Sequence, residues 1–322
     1  MNRRRALPRW LSAVVTGAVA VTVGAHPLHA QSSAVVLSLP ASARAAGGGD
    51  AAPFATDASA LFYGAQHLPL GRAAAVSAGT WIGDAQLATL AYAMPWRGSV
   101  IAAGIQSLDY GSADEIIPDP LTGGKRGTAT GGRVGGSELA ATLGHKQQLG
   151  RLRFGIAVTY VRQQVADLSA SALTMSVAQG ITMRGWDVDF SIEHGGAPRG
   201  NPARRTLSLP VTVRGGIATP AYSLGGSTWC GVVELRRTDR EGSTSVMGVE
   251  GAFKTGAGWE LQVRGAGLAY SDEMARAPWS AGGSAVRGEW SLDYAYQGYG
   301  ALGAVHRMGV TWRSRDQRNP SR

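Results

Sequence analysis

The densest run of chemistry-bearing residues in the chain is TGGKRGTATGGRVGG, residues 122–136, where glycines bracket Lys125 and Arg126. A phosphate-cradling loop needs a Ser or Thr directly after its Lys, because that hydroxyl holds the metal the phosphates share. Arg126 follows Lys125 here and the glycine spacing fails, so the run reads as a Gly/Thr-rich loop. Just upstream, Asp109, Asp114, Glu115 and Asp119 offer oxygens to a hard cation, but Pro118, Pro120 and irregular spacing favour a solvated loop. His67, His145, His194 and His306 are dispersed, with no pair at i, i+4 and no cysteine beside them. His306-Arg307 opens a final strand, and Asn201-Pro202-Ala203-Arg204-Arg205 is a charged turn. These residues supply no catalytic set, no metal site and no cofactor site.

The elements that would position such residues begin with a leader. Arg3, Arg4, Arg5 and Arg9 precede an apolar run from Leu11 to Ala25, followed by Leu28-His29-Ala30 and Gln31. A basic start, a short apolar core and a small residue at the cut describe a secretory signal peptide over 1–30, the alternative being a membrane anchor. Losing its four arginines takes the formal charge from +9 to +5. The remaining excess is scattered apart from Arg236-Arg237-Arg240 and the C-terminal arginines, with no aromatic platforms interleaved, which argues against nucleic acid. The single cysteine, Cys230, cannot close an intramolecular disulfide and reads as a small apolar residue in a strand.

Glycine stands at 46 of 322 residues, about twice the background of ~7%, and charged residues make up only 16%. Beyond the leader no apolar run reaches the ~18 residues that a spanning helix needs. Period-two alternation is plain instead. RLRFGIAVTYV (151–161) sets Leu152, Phe154, Ile156, Val158 and Tyr160 against Arg151, Arg153, Gly155, Ala157 and Thr159. EWSLDYAYQ (289–297) and WELQVRG (259–265) alternate in the same way. Alternation of this kind is the strand signature. Aromatic residues cluster near segment ends, at Trp81, Trp96, Tyr160, Trp186, Trp259, Tyr270, Trp279, Trp290 and Trp312, as interfacial girdles do.

Fourteen such segments can be counted between 74 and 313. GD (83–84), RG (97–98) and GR (150–151) read as tight turns, and 109–135, 195–205, 238–243 and 270–276 as loops at the opposite end. The expected fold is all-β, a transmembrane antiparallel up-and-down barrel of about 14 strands over 73–313, surrounded by outer-membrane lipid, with a polar tail at 314–322. A soluble β-sandwich is the alternative.

A wide barrel leaves a lumen that wall side chains cannot fill. Ahead of the first strand, within 31–72, lies ARAAGGGDAAPFATDASALFYGAQHL (43–68). Its small residues allow close backbone approach, and Gly47 to Gly49 permit positive-φ turns. Arg44 can pair with Asp50, Asp57 or an acid of the lumen wall. Ser59 follows Asp57, and Phe62 and Tyr63 are expected to anchor the segment near Trp81. The stretch is either a lumen plug or a tail outside the barrel.

Several motifs resemble the PorV/PorQ family and related FadL-like barrels. Ser42-Ala43-Arg44-Ala45-Ala46-Gly47-Gly48-Gly49 and Asp57-Ala58-Ser59-Ala60 are similar to that family's N-terminal signature, while Tyr63-Gly64-Ala65 departs from its aromatic-Asn-Pro-Ala corner. SLDYGSADE (107–115) resembles its Tyr-Gly loop, and WSLDYAYQGYGALGAVHRMGVTW (290–312) its ending. The resemblance implies a plugged, non-enzymatic outer-membrane barrel of a diderm bacterium. It would serve as an accessory of type IX-like protein export with secretion proteins and cargo as partners, or alternatively as a FadL-like channel for hydrophobic small molecules.

Overall fold

The computed structural model describes residues 34–119, 121, 126–199, 207–239, 242–271 and 277–314. The expected leader and nearly all of the C-terminal tail therefore lie outside the described residues. Its wall is built from β1 (Ala73–Thr80), β2 (Gln86–Trp96), β3 (Ser99–Pro118), β4 (Gly127–Leu149), β5 (Leu152–Val165), β6 (Leu168–Met183) and β7 (Trp186–Arg199). It continues through β8 (Thr212–Ala218), β9 (Tyr222–Leu224), β10 (Ser227–Thr238), β11 (Gly242–Lys254), β12 (Trp259–Tyr270), β13 (Trp279–Arg287), β14 (Trp290–Gly298) and β15 (Ala304–Arg313). Every neighbour pairs antiparallel with the next, and β15 returns to β1, with Ala73 opposite Arg313 and Val76 opposite Val310. Closure leaves no free edge, the condition for a sheet surrounded by lipid.

Both β8 and β9 pair with β10, so together they fill one place in the ring and the barrel has fourteen strands. Pro220 explains the break. It has no N–H to give to the ladder, and the chain leaves the sheet over Thr219–Ala221 before resuming.

The alternation seen in sequence is the inside and outside of this wall. Ile156, Val158 and Tyr160 point outward and are exposed, while Ala157, Thr159 and Val161 on the same strand are buried. Trp290, Leu292 and Tyr294 face out against buried Ser291, Asp293 and Ala295. An outward set this apolar would be costly in water and is favourable against hydrocarbon. No helix among the described residues is long and apolar enough to cross a membrane.

Two expectations about the connections change. Residues 109–118 and 127–135 are not loop, because β3 and β4 continue through them, Pro118 still pairing with Gly127. Only their lower parts are flanked, since β2 stops opposite Asp109 and β5 opposite Gly136. A two-stranded ribbon therefore rises past the rim. The link at 83–84 lies at that same end, because connections alternate between ends along an antiparallel ring. The opposite end holds uniformly short links, such as 97–98, 150–151, 184–185 and 288–289. Trp81 and Tyr270 also leave the outer girdle. Trp81 packs edge-on to Tyr299, 4.9 Å between ring centroids, against an inward cluster, and Tyr270 falls on the inward register of β12.

Candidate functional site

Residues 34–72 run lengthwise through the barrel. Ala34 N donates to Ser208 O (3.1 Å) at the long-loop end. Leu68 O accepts from Lys146 Nζ (2.5 Å) near the short-turn end. The segment has little regular structure: one helix, α1 (Ala43–Gly47), and several single 3₁₀ turns. Ser42 starts α1 by accepting from Ala45 N, and Gly49 with φ +76° turns the chain out of it. Asp57 starts the turn over Ala58–Phe62 by accepting from Ser59 N (2.7 Å).

Arg44 is 7% exposed and spans from the segment to the wall. Its Nε donates to Phe54 O (3.1 Å), Nη2 to Glu250 Oε1 (2.5 Å), and Nη1 to Gln262 Oε1. Burial works against its charge, but Glu250 beside it, with Asp293 and Asp57 farther off, holds the guanidinium above its usual range. Glu250 is shared with Arg264, whose Nε donates to its second oxygen (2.9 Å). Of the three partners open to Arg44 in sequence, the structure places the wall acid against it.

Asp50 belongs to a second cluster. Tyr63 OH donates to Asp50 Oδ1 (2.7 Å) and accepts from Ala41 N (2.9 Å) and Ser42 N (3.2 Å). The Asp50 carbonyl accepts from Arg214 Nη1 (3.1 Å) on β8 and Arg236 Nη1 (3.0 Å) on β10. Glu234, fully buried, joins Arg214 Nη1 (2.9 Å) to Ala52 N (2.7 Å), and Glu193 accepts from Arg214 Nε (3.0 Å). Burial first, then Asp50, pushes the Tyr63 hydroxyl well above its ordinary pKa, so it stays a donor.

Glycines supply the remaining fit. A Cβ on Gly47 would stand 2.8 Å from Gly282 Cα on β13, and one on Gly49 would meet Val246 Cγ1 at 2.6 Å. Gly49 N also donates to Ser280 Oγ (2.8 Å). On the other side of the lumen apolar contacts join a few polar ones, Val36 N donating to Glu138 Oε2 (2.8 Å) and Ser77 Oγ to Ala41 O (3.0 Å). Leu61, Phe62 and Leu68 pack with alanines of β1, β2, β3 and β5, and Phe62 covers Gly104. Leu61 and Leu68 are fully buried, worth roughly 1.5–3 kcal/mol each. Phe62 and Tyr63 thus lie apart from Trp81, in a different cluster.

All eight residues singled out in the segment, Arg44, Gly47, Gly49, Asp50, Asp57, Ser59, Phe62 and Tyr63, fall inside the wall. Sequence reasoning did not single out Glu250, Glu234, Glu193, Arg214, Arg236 or Asp293. Their signal was available: each is a charged residue at an inward position of an alternating strand. Among the described residues no group of three His, Cys, Asp or Glu side chains could hold a metal ion.

No family model matches the chain, and no curated protein matches it. Solved structures do. The toluene transporter TbuX of Ralstonia pickettii superposes with a TM-score of 0.54 at 11% identity, covering 84% of this chain and 96% of that one. A FadL homologue of Pseudomonas aeruginosa gives 0.51 at 11% identity, covering 84% and 98%. The toluene transporter TodX of Pseudomonas putida gives 0.50 at 10%, covering 87% and 96%. At such identities the likeness is one of fold, and the fold is that of the FadL-like fourteen-stranded barrels.

Proposed function

We propose that this protein is a channel for hydrophobic small molecules in the outer membrane, and that residues 34–68 are its gate. The observation that carries the reading is the two-sided lumen. On β1 to β3 a patch of small apolar inward side chains, Ala73, Ala75, Ala91, Ala93, Val100 and Ala102, packs against Leu61, Phe62 and Leu68, and the polar inward groups of β1 to β5, among them Ser77, Thr89, Gln106, Glu138 and Lys146, lie around it. Along β7 to β14 the inward wall is charged, and there the segment is fastened by Arg44–Glu250 and by Asp50 with Arg214 and Arg236. The segment is thus held by ion pairs on the charged side and by a few polar contacts on the other, from Lys146 to Leu68 O, from Val36 N to Glu138 and from Ser77 to Ala41 O, so breaking those lets it swing away from the alanine patch. Doing so uncovers a lane rich in methyl groups, suited to a solute that water excludes. The toluene transport named for TbuX and TodX supports this substrate class, and the closed, outwardly apolar barrel fits outer-membrane placement.

The test is uptake of radiolabelled toluene by cells expressing the protein, beside a hydrophilic sugar of similar size. Faster toluene entry with unchanged sugar entry is expected, and no gain in toluene entry overturns the reading. Deleting residues 43–60 should leave a folded, heat-modifiable barrel, because the strands carry its ladder, while conductance in planar bilayers rises. An equally closed deletion protein would remove the gate. The export-accessory role implied by the N-terminal motif requires protein partners, so stable copurification of secretion proteins or cargo would favour it instead.

A further inference from the structure

Among the described residues the two ends of the barrel differ in exposed charge. At the short-turn end the exposed ionic side chains among the described residues are Arg72, Arg97, Arg151, Arg184, Lys254 and Arg287. The acids at that end are half-buried and engaged: Asp187 with Arg153, Glu260 with Gln262, and Glu289 with the Trp312 indole. At the long-loop end Asp84, Asp109, Asp114, Glu115, Asp167 and Asp239 are exposed, interleaved with only four described exposed arginines.

The conformation of the short turns makes the arginines there unusual. Arg97 (φ 49°) and Arg184 (φ 52°) sit in the left-handed region, each before a glycine that is also left-handed. Asn, Asp or Gly is the unstrained choice at such a hairpin position, and a long side chain pays a steric penalty. Three of the short turns are also set beside an exposed tryptophan: Trp96 before Arg97, Trp186 after Gly185, and Trp290 after the Arg287-Gly288-Glu289 turn. The Arg97 guanidinium lies 5.3 Å from the Trp96 ring centroid, and that of Arg287 5.3 Å from the Trp259 centroid. Indoles settle at the headgroup level of a bilayer, so the stacked guanidinium groups are held at the depth of the lipid phosphates. Three of the turns, at Arg97, Arg151 and Arg184, follow one another around the ring.

We infer that the short-turn end is a binding collar for anionic phospholipid, with Arg97, Arg184 and Arg287 contacting headgroup phosphates and the adjoining tryptophans setting their depth. The charge, the lack of exposed acids beside it among the described residues, and its register with the indole belt all select a lipid phosphate over a soluble anion. This collar does not depend on what passes through the lumen.

The experiment uses the full mature barrel in phosphatidylcholine nanodiscs containing spin-labelled phosphatidylglycerol or spin-labelled phosphatidylcholine, and measures the relative association of each. Wild type should prefer phosphatidylglycerol, with the preference falling as salt rises. Each arginine contact removed should lower the association by about fivefold. The variant Arg97→Asn/Arg184→Asn/Arg287→Gln should lose the preference, and asparagine suits the two left-handed turns, so folding is protected. Arg162→Gln/Arg237→Gln at the other end should keep it. A wild type without preference, a triple variant that retains it, or equal loss at the loop end would overturn the collar. So would displacement of the labelled lipid by inorganic phosphate at constant ionic strength, which would indicate a soluble-anion site.

Discussion

Gly47 on α1 and Gly282 on β13 meet backbone to backbone: a Cβ on Gly47 would stand 2.8 Å from Gly282 Cα, and one on Gly282 would stand 3.0 Å from Gly47 Cα. Neither residue needs positive φ, so the requirement for glycine is one of space alone. The contact presses α1 against the wall where Ser280 Oγ bridges Gly47 O (3.2 Å) and Gly49 N (2.8 Å). Gly47→Leu should unseat the segment without disturbing the ladder. Trypsin should then cut after Arg44 in the folded barrel, and conductance should rise. Gly267→Leu, on the outer face with open space around its Cβ, should do neither. Resistance of the Gly47→Leu protein to trypsin would show that the contact is dispensable.

Glu250 stands between Arg44 and Arg264. Glu250→Gln leaves two buried guanidinium groups sharing only the more distant Asp293, and removing one partner of a buried pair costs about 3–5 kcal/mol. The cost should fall on seating of the segment more than on the ladder. Adding Arg44→Gln should recover part of it, because the unpaired charge is then gone. A double-mutant cycle read by trypsin susceptibility checks this, and simple additivity of the two changes would deny the coupling.

Neighbouring residues on β5 should fail differently when replaced by arginine. Ile156→Arg places a charge against hydrocarbon near mid-depth and should cost about 2–4 kcal/mol of barrel stability in urea titrations. Ala157 faces inward, where the lumen is already filled by the cluster around Leu61 and Leu68. Ala157→Arg should therefore displace the segment and open the pore, with a smaller change in the urea midpoint. Equal midpoints with a closed pore would mean that the two faces are misassigned.

Tyr63 gives seating a pH limit. Released, its hydroxyl ionises near the ordinary value of about 10, whereas seated it is held well above that by burial and Asp50. Seating free energy is accordingly constant below about pH 10 and falls as pH rises past it, since only the released form gains by losing the proton. Conductance should climb above that pH in wild type. Tyr63→Phe should weaken seating by about 1–3 kcal/mol at neutral pH, because Asp50 and two buried N–H groups lose their partner, and should flatten the alkaline rise. An alkaline rise unchanged by Tyr63→Phe would assign it to another group.

Alternation alone determined which residues of this chain face lipid and which face the lumen, because side-chain direction in a strand has a period of two and a slip of one residue inverts both faces. Ile156 and Ala157, or Leu292 and Asp293, were separable from the sequence for that reason. Short links such as Arg97-Gly98 were equally legible, since left-handed glycine closes a two-residue hairpin. The partners across the lumen were not. Arg44 and Glu250 are 206 residues apart, and which inward acid meets the segment depends on its depth and rotation inside the closed ring. Asp50 and Asp57 were nearer in sequence, yet Asp50 was taken by Tyr63 and Arg236 and Asp57 by the turn at Ser59. The ribbon at 109–118 and 127–135 escaped because its glycines and acids mimic a loop, while pairing between β3 and β4, a contact between segments, keeps it extended. Local pattern settled the wall; closure of fourteen strands around one irregular segment settled what stands inside it.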